Sequence, residues 1–500
     1  MSEVTLILKE LRGGAEISGD MVARLVTAHK PERDRQVGLH ERYKCSEEGV
    51  PIFTREFQDR SKINAKLNND FFSDIVDTKV GYLLGIPIKY TYREPEKLPD
   101  GAVDAAGMQA KRMVDTKLAD FCRREQVAEV DAEASKFAAI CGTGARLCYI
   151  GEDGDEHIQN VYPWECIFLV DDSDIQHPEY AVRYWEESVQ DNSAGNVTKT
   201  IYKAEFYDSA NIWYFRQVKE GTDATELRFE PDPDEPQNPR PHMFTDCPLL
   251  GFPNNNELQG DCEKVLSLID AYDRALSDVN SELEQMRLAY LLVRGFNPDD
   301  KFLEKIKHTG IFGVANKDDD AKFIEKNLNT DALELHLNRL CNDIYYFAGS
   351  PNFRDDAFAG NISGVALKFK LFKLESKCIA AEREITSALQ QMFRIIGQKW
   401  SIEEIDFDPD MVEYQFKRNF PLNLLDDAQT QAAYKGLVSE KTRLANCAIV
   451  KDVEAELQEM QEDNEMQIDL DKVRITSEQE AYNESQPPQE EQQEEVPPDA

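Results

Sequence analysis

Positive charge is what this sequence lacks most. Its 57 lysines and arginines stand against 95 aspartates and glutamates, for a formal net charge of −38. Proteins that grip nucleic acid present a basic patch or stripe, because phosphate contacts dominate affinity. The chain as a whole is therefore not a DNA-gripping protein. Long apolar runs are also missing, so no membrane span is expected. The opening MSEVTLILKE has no signal-peptide pattern. The ten cysteines include no C-x-x-C pair, which fits free thiols in a reducing compartment better than a disulfide framework. Cys141 and Cys148 bracket GTGARL and, with no second pair, are strand residues rather than metal ligands.

Catalytic patterns are missing as well. The seven histidines do not cluster with serine, cysteine or carboxylates at the spacing of a nucleophilic or metal site. Gly360, Gly364 and Lys368 come closest to a phosphate-binding loop. That loop requires G-x-x-x-x-G-K-[ST] between a strand and a helix, and here no Ser or Thr follows the lysine. The triple aspartate Asp318–Asp320 lacks the glycine and closing glutamate of a calcium loop and is expected to be a solvated turn. No catalytic residue, metal or cofactor is expected.

Length alone allows two to four structural units. Residues 1–60 are polar and helical in pieces. Phe71, Ile75, Val76 and Val80 recur at helical spacing until Gly85 and Pro87, after which Ile88–Tyr92 alternates as a strand. A helix over about 115–140 precedes aromatic and β-branched runs separated by turn clusters, the pattern of an antiparallel sheet. The stretch ATELRFEPDPDEPQNPRPHMF is proline-rich and acidic and reads as a surface loop. Together these features make the first 250 residues a mixed α+β unit.

The pattern changes after Asn254. Val265, Ile269, Tyr272, Leu276, Val279, Leu283, Met286, Tyr290 and Val293 alternate in spacing four, three, four, three, the seam of a helix packed lengthwise on a partner. A helix over 262–292 would be a rod of roughly 46 Å. Its partner is either a second helix of the same chain or a neighbouring subunit. A short helix follows, then a hairpin whose strands TGIFGVA and KFIEKNL are joined by NKDDD. The next helix starts near Thr330 with Leu333, Leu337, Leu340, Ile344 and Phe347 on one face. A third runs from about Ser363 to Trp400 with the stripe Leu367, Leu371, Leu374, Cys378, Ala381, Ile385, Ala388, Met392 and Ile395. MVEYQFKRNFP alternates like a strand, residues 423–467 read as short helices, and the Glu-, Gln- and Pro-rich end from about 476 cannot bury a core.

Several of these stretches resemble one family. IVDTKVGYLLGIPIKY, PLLGFPNNNELQGDCEKVLSLIDAYDRALSDVNSELEQMRLAYLLVRG, ISGVALKFKLFKLESK and GLVSEKTRLANCAIVKDVEAELQEM resemble segments of the portal proteins of tailed bacteriophages, in the group typical of long-tailed phages of Gram-positive hosts. The resemblance covers roughly residues 40–465. It implies an α+β portal fold: a mixed wing at 1–261, stem helices at 262–292 and 330–348, and a small clip at 293–329. A tunnel loop at 349–362, a long wing helix with its following strand at 363–422 and a helical crown at 423–475 complete it. The acidic tail 476–500 lies beyond what the resemblance covers and is expected to be disordered.

The resemblance further implies a homo-oligomeric ring, twelve-fold in the virion, at one capsid vertex. The terminase motor drives double-stranded DNA through the ring, head-completion and adaptor proteins seal it, and the major capsid and scaffolding proteins surround it. No membrane is involved. Within the loop SPNFRDDAFAGN, Asn352, Arg354, Asp355, Asp356 and Asn361 are the candidate channel residues. Arg354 is placed to touch phosphate, and the two aspartates to repel it. Gly349 and Gly360 permit unusual backbone angles at the loop's edges. The alternative is an ordinary exposed inter-helix loop. Lys370, Lys373 and Lys377 form a short basic stripe that either meets DNA weakly or pairs with Asp or Glu of a neighbouring subunit. Two rival classes remain, an enzyme and a coiled-coil scaffold. The scaffold shares the heptad helices but needs neither the clip-like insertion nor the loop.

Overall fold

A computed structural model describes residues 2–58, 63–94, 105–171, 174–191, 197–218, 227–286, 290–294, 301, 320–324, 330–354, 364–419, 424–447, 449–450, 453, 455–463 and 466. These fall into two compact units, 1–419 and 420–500. The first unit opens with α1 (Glu3–Arg12), α2 (Gly19–Tyr43), α3 (Phe71–Leu84), β1 (Lys89–Tyr92), α4 (Ala105–Arg124) and α5 (Val127–Cys141). Nine strands follow: β2 (Thr143–Ile150), β3 (Glu156–Val161), β4 (Cys166–Leu169), β5 (Tyr180–Asp191), β6 (Val197–Tyr207), β7 (Asn211–Gln217), β8 (Phe229–Pro231), β9 (Arg240–Pro241) and β10 (Leu249–Pro253). Then come α6 (Leu266–Met286), β11 (Tyr290–Arg294), β12 (Asp320–Ile324), α7 (Thr330–Ala348), α8 (Gly364–Ile402) and β13 (Val412–Gln415).

Strands β4 to β8 pair antiparallel in sequence order, with β9 beside β7. Period-two alternation buries both faces of this sheet. On one face Val182 and Phe206 join Ile7, Leu8, Val22 and Leu25 of α1 and α2. On the other, their neighbours Ala181 and Tyr207 pack with Ala145, Leu147, Val161 and Leu249 of the three-stranded sheet β10-β2-β3. A third cluster gathers α3 (Phe71, Phe72, Ile75, Val76), α5 (Ala139, Ile140) and the roots of α6 and α7 (Ile269, Ile344, Ala348). Gly142 joins α5 to β2 at φ 91°, where a Cβ would meet Leu258 O at 2.0 Å, so only glycine fits.

Four sequence expectations are corrected. The helix expected near 115–140 is two helices, α4 and α5, broken at Gln126, which has φ 50°. The proline-rich acidic segment is more than a loop, since it supplies β8 and β9, and Phe229 is buried against α2. The stem helix expected over 262–292 runs only from Leu266 to Met286, after a short 3-10 turn at Glu263–Val265. Tyr290 and Val293, which continued its spacing, belong to strand β11. β11 pairs antiparallel with β12 in the register Tyr290↔Ile324 to Arg294↔Asp320. Strand 320–324 thus pairs with 290–294, and Asp320 opens a strand instead of sitting in a turn. TGIFGVA lies outside the described residues.

The stripe on the third long helix is as the spacing predicts. Leu371, Leu374, Cys378, Ala381, Ile385, Ala388, Met392 and Ile395 are buried, while Leu367 is half-buried. Beyond Ile385 the helix is surrounded, with Leu389, Phe393, Ile396 and Trp400 also buried. β13 pairs with β1, so the strand expected at 412 closes against the one expected at 88–92.

The second unit contains α9 (Leu424–Tyr434) and α10 (Glu440–Ala445). Thr442 N donates to Ser439 Oγ at 3.2 Å, the cap expected from the sequence. Gln431 Nε2 donates to Asn446 O at 2.9 Å and ties the two helices together.

Candidate channel-lining segment

The segment of interest is the hairpin α6–α7, the turn that follows it and the first half of α8. α6 packs against α7 of the same chain through Ile269, Tyr272, Cys341, Ile344 and Tyr345. The first heptad seam is thus internal at its root. Away from the root it opens: Leu276, Val279, Leu333 and Leu337 are half-buried and Leu283 is exposed. On α7 the buried position at the end of the stripe is Ala348, and Phe347 faces out.

A polar ladder occupies another face of α6. Asp273, Ser277 and Ser281, four residues apart, are all buried. Each takes a backbone amide from the extended segment preceding α3. Asp273 Oδ1 accepts from Asn69 N at 2.9 Å, Ser277 Oγ from Leu67 N at 3.0 Å and Ser281 Oγ from Ala65 N at 3.0 Å. Alternate residues of an extended chain rise in step with successive turns of the helix. Residues 64–69 are therefore strapped lengthwise along α6. Arg55 fastens the same strap through Asn64 Oδ1 at 3.0 Å, Ala65 O at 2.8 Å and Asp278 Oδ1 at 2.6 Å.

α7 ends at Gly349, in the left-handed region at φ 71°, as the sequence position suggested. Ser350 N closes back onto Tyr345 O at 3.1 Å. Asn352 Oδ1 then accepts from Arg354 N at 3.1 Å, and the Arg354 side chain is exposed. Asp355, Asp356, Gly360 and Asn361 lie outside the described residues.

The three lysines of the basic stripe sit on one side of α8 and have different surroundings. Lys370 is exposed and engaged in an interaction. The Lys373 ammonium stands 3.1 Å from the centroid of the Tyr346 ring and donates to Tyr346 O at 3.3 Å. Lys377 Nζ lies 2.9 Å from Asp261 Oδ1, while Lys79 Nζ takes the other oxygen, Oδ2, at 2.8 Å. Lys79 also donates to Asn254 Oδ1 at 2.6 Å. Lys79 and Asp261 are both only 4% exposed at the side chain. Burial pushes the Asp261 carboxyl up, but the two ammonium groups pull it down and prevail, so it stays below the ordinary carboxylate range. This hub ties α3, the turn before α6 and α8 together. A second tie lies nearby, where Glu375 accepts from Tyr82 Oη at 2.7 Å and pairs with Arg418 at 3.0 Å.

Sequence reasoning did not find Asp261, Asp273, Ser277 or Ser281. The last three carry a legible signal, because buried polar residues at i, i+4 and i+8 interrupt an otherwise amphipathic helix.

The family model for "phage portal protein, SPP1 Gp6-like" matches residues 24–470, which takes in most of α2 and every labelled element from α3 to α10. The chain belongs to the phage portal protein family. The portal protein of Bacillus phage SPP1 is 23% identical over 481 residues, covering 92% of this chain and 89% of its relative. The portal protein of Clostridium phage phiCD119 is 22% identical over 424 residues, covering 81% and 86%. As a portal protein the chain is a structural component of the virion. No described helix is long and apolar enough to cross a membrane. The match stops at 470, so the acidic tail at 476–500 lies beyond the shared portal region.

Proposed function

We propose that the chain assembles as a closed ring, twelve-fold in the virion, at one vertex of the capsid. Terminase drives double-stranded DNA inward through its axial channel, and DNA leaves by the same route into the tail. The observation that carries this reading is the family match running unbroken across the α6–α7 hairpin, the turn at Gly349 and α8. In this reading α6 and α7 are the stem and 293–329, spanned by the β11–β12 pair, is the clip that meets terminase and then the head-completion proteins. Residues 349–362 form the tunnel loop, with Asn352, Arg354, Asp355, Asp356 and Asn361 facing DNA. Residues 1–261 and α8 form the wing, set among major capsid and scaffolding proteins, and 423–475 the crown.

Chemistry favours a conduit over a clamp. Duplex DNA carries one charge for every ~1.7 Å of axis, and dense pairing to phosphate would stall sliding. A chain of net charge −38 favours walls that repel phosphate, and a few cations such as Arg354 supply brief contacts. Lys377, held by Asp261, contributes less to that set.

The test is packaging in the phage that encodes the chain. Procapsids assembled without it should protect no DNA from nuclease, and the wild-type chain supplied in trans should restore protection. Protection that is undiminished without the chain would refute a role as packaging channel.

A further inference from the structure

The first half of α8 carries a second apolar stripe that none of the described residues covers. Phe369, Phe372, Ser376 and Ile379 repeat with three-four-three spacing, and the three apolar members are 76%, 67% and 41% exposed. The stripe is displaced by two residues from the buried one (Leu371, Leu374, Cys378, Ala381), which at about 100° per residue puts it on the opposite side of the helix. Continued at the same spacing it meets Arg383, Thr386 and Gln390, so the outward apolar face is confined to about three turns. Its borders are basic. Lys368, Lys370, Lys373 and Lys377 stand against the single Glu375 in residues 364–377, in a chain whose overall balance is strongly acidic.

A complementary surface lies elsewhere on the same chain. The first half of α7 presents Leu335, 73% exposed, with Asp331 and Glu334 exposed beside it and no Lys or Arg before Arg339. Next to it α6 adds Glu282 and the exposed Glu284, while Asp273 is buried and Asp270 and Asp278 pair with Arg42 and Arg55 of the same chain. Exposed apolar patches with charged rims mark interaction sites, and opposite potentials fix which patch meets which. The two patches sit on different elements, and both are exposed among the described residues. A contact between them is therefore heterologous, leaving a free patch of each kind at every step until a ring closes.

We infer that the Phe369–Phe372–Ile379 stripe of one protomer docks on the acidic first half of α7, around Leu335, of its neighbour. This rests on the ring reading above and names the seam that builds the ring.

The experiment is a charge exchange read by mass photometry and negative-stain imaging of the full-length chain, with thermal melting by circular dichroism as the folding control. Lys368→Glu/Lys370→Glu alone, or Asp331→Lys/Glu334→Lys alone, should lower the fraction of chains in closed rings by roughly tenfold or more at equal concentration. All four substitutions together should restore it. Wild-type rings that survive either reversal, or a folded quadruple variant that stays unassembled, would overturn this seam and leave the ring reading standing. A wild-type chain that forms no closed ring, alone or co-expressed with its capsid and scaffolding proteins, would overturn both. Should a reversal shift the melting curve, Phe369→Ser/Phe372→Ser replaces it. Ring loss at an unchanged melting temperature supports the seam, and intact rings refute it.

Discussion

Lys79, Asp261 and Lys377 place two cations on one buried carboxylate, and the two are not equivalent. Lys79 is as buried as Asp261, whereas the Lys377 side chain is 34% exposed. Removing the carboxylate strands a buried ammonium, so Asp261→Asn is expected to cost about 3–5 kcal/mol in chemical denaturation. Lys377→Gln leaves the Lys79 pair intact and should cost about 1 kcal/mol or less, because its charge is partly solvated. Equal losses for the two variants would mean that the hub is not organised around Lys79. His29 supplies a pH-dependent counterpart. Its Nδ1 lies 2.9 Å from Tyr184 Oη, and burial lowers its pKa to about 4. The folded pKa lies below the unfolded one, so the unfolded chain takes the proton first. Stability from this group is full above about pH 6.5 and falls as pH drops toward 4, by up to about 3 kcal/mol. Urea midpoints at pH 7 and pH 4.5 should therefore differ more for the wild type than for His29→Gln.

At the scale of elements, α6 is held on two faces by different chemistry. Ile269 and Tyr272 pack into the hydrophobic junction, while Asp273, Ser277 and Ser281 hold the strap at 64–69. Ser277→Ala or Ser281→Ala leaves a backbone N–H of the strap without its acceptor and should cost about 1–3 kcal/mol each. Hydrogen exchange at the Leu67 and Ala65 amides should quicken, and unchanged protection there would remove the ladder from the account. On α8, Leu374→Ala should destabilise the chain by about 2–5 kcal/mol, whereas Phe372→Ala on the opposite face should stay within about 0.5 kcal/mol for the unassembled chain. These elements also show what was legible. The α8 stripe was readable because its four-three spacing matches a helix buried along one side. Tyr290 and Val293 misled for the same reason, since they keep heptad register with α6 although YLLVR is an aromatic and β-branched run that pairs with 320–324. The polar positions 273, 277 and 281 were visible in the sequence, but their partners, the strap amides, lie more than a hundred residues away, as do the Lys79 and Lys377 ammonium groups of Asp261, and local periodicity does not reveal them.

At the scale of the whole molecule, charge and family membership point the same way. With 95 acidic residues against 57 basic ones, the purified chain should bind duplex DNA more weakly than the 10⁻⁴ M or so typical of non-specific binding at physiological salt. A fluorescence-anisotropy titration that shows tight, salt-steep binding would contradict a sliding conduit. The family itself was legible in four stretches spread along the chain, whereas the turn between α7 and α8 was legible only as a loop bounded by Gly349. The central claim is that this portal protein closes into a ring around an axial channel. Electron microscopy of the full-length chain, alone and co-expressed with its capsid and scaffolding proteins, tests it most directly. The account predicts closed rings of about a dozen subunits with a central hole, the closed symmetric assembly that a repeating heterologous contact builds. A stable dimer or rod, unchanged by co-expression, would contradict it.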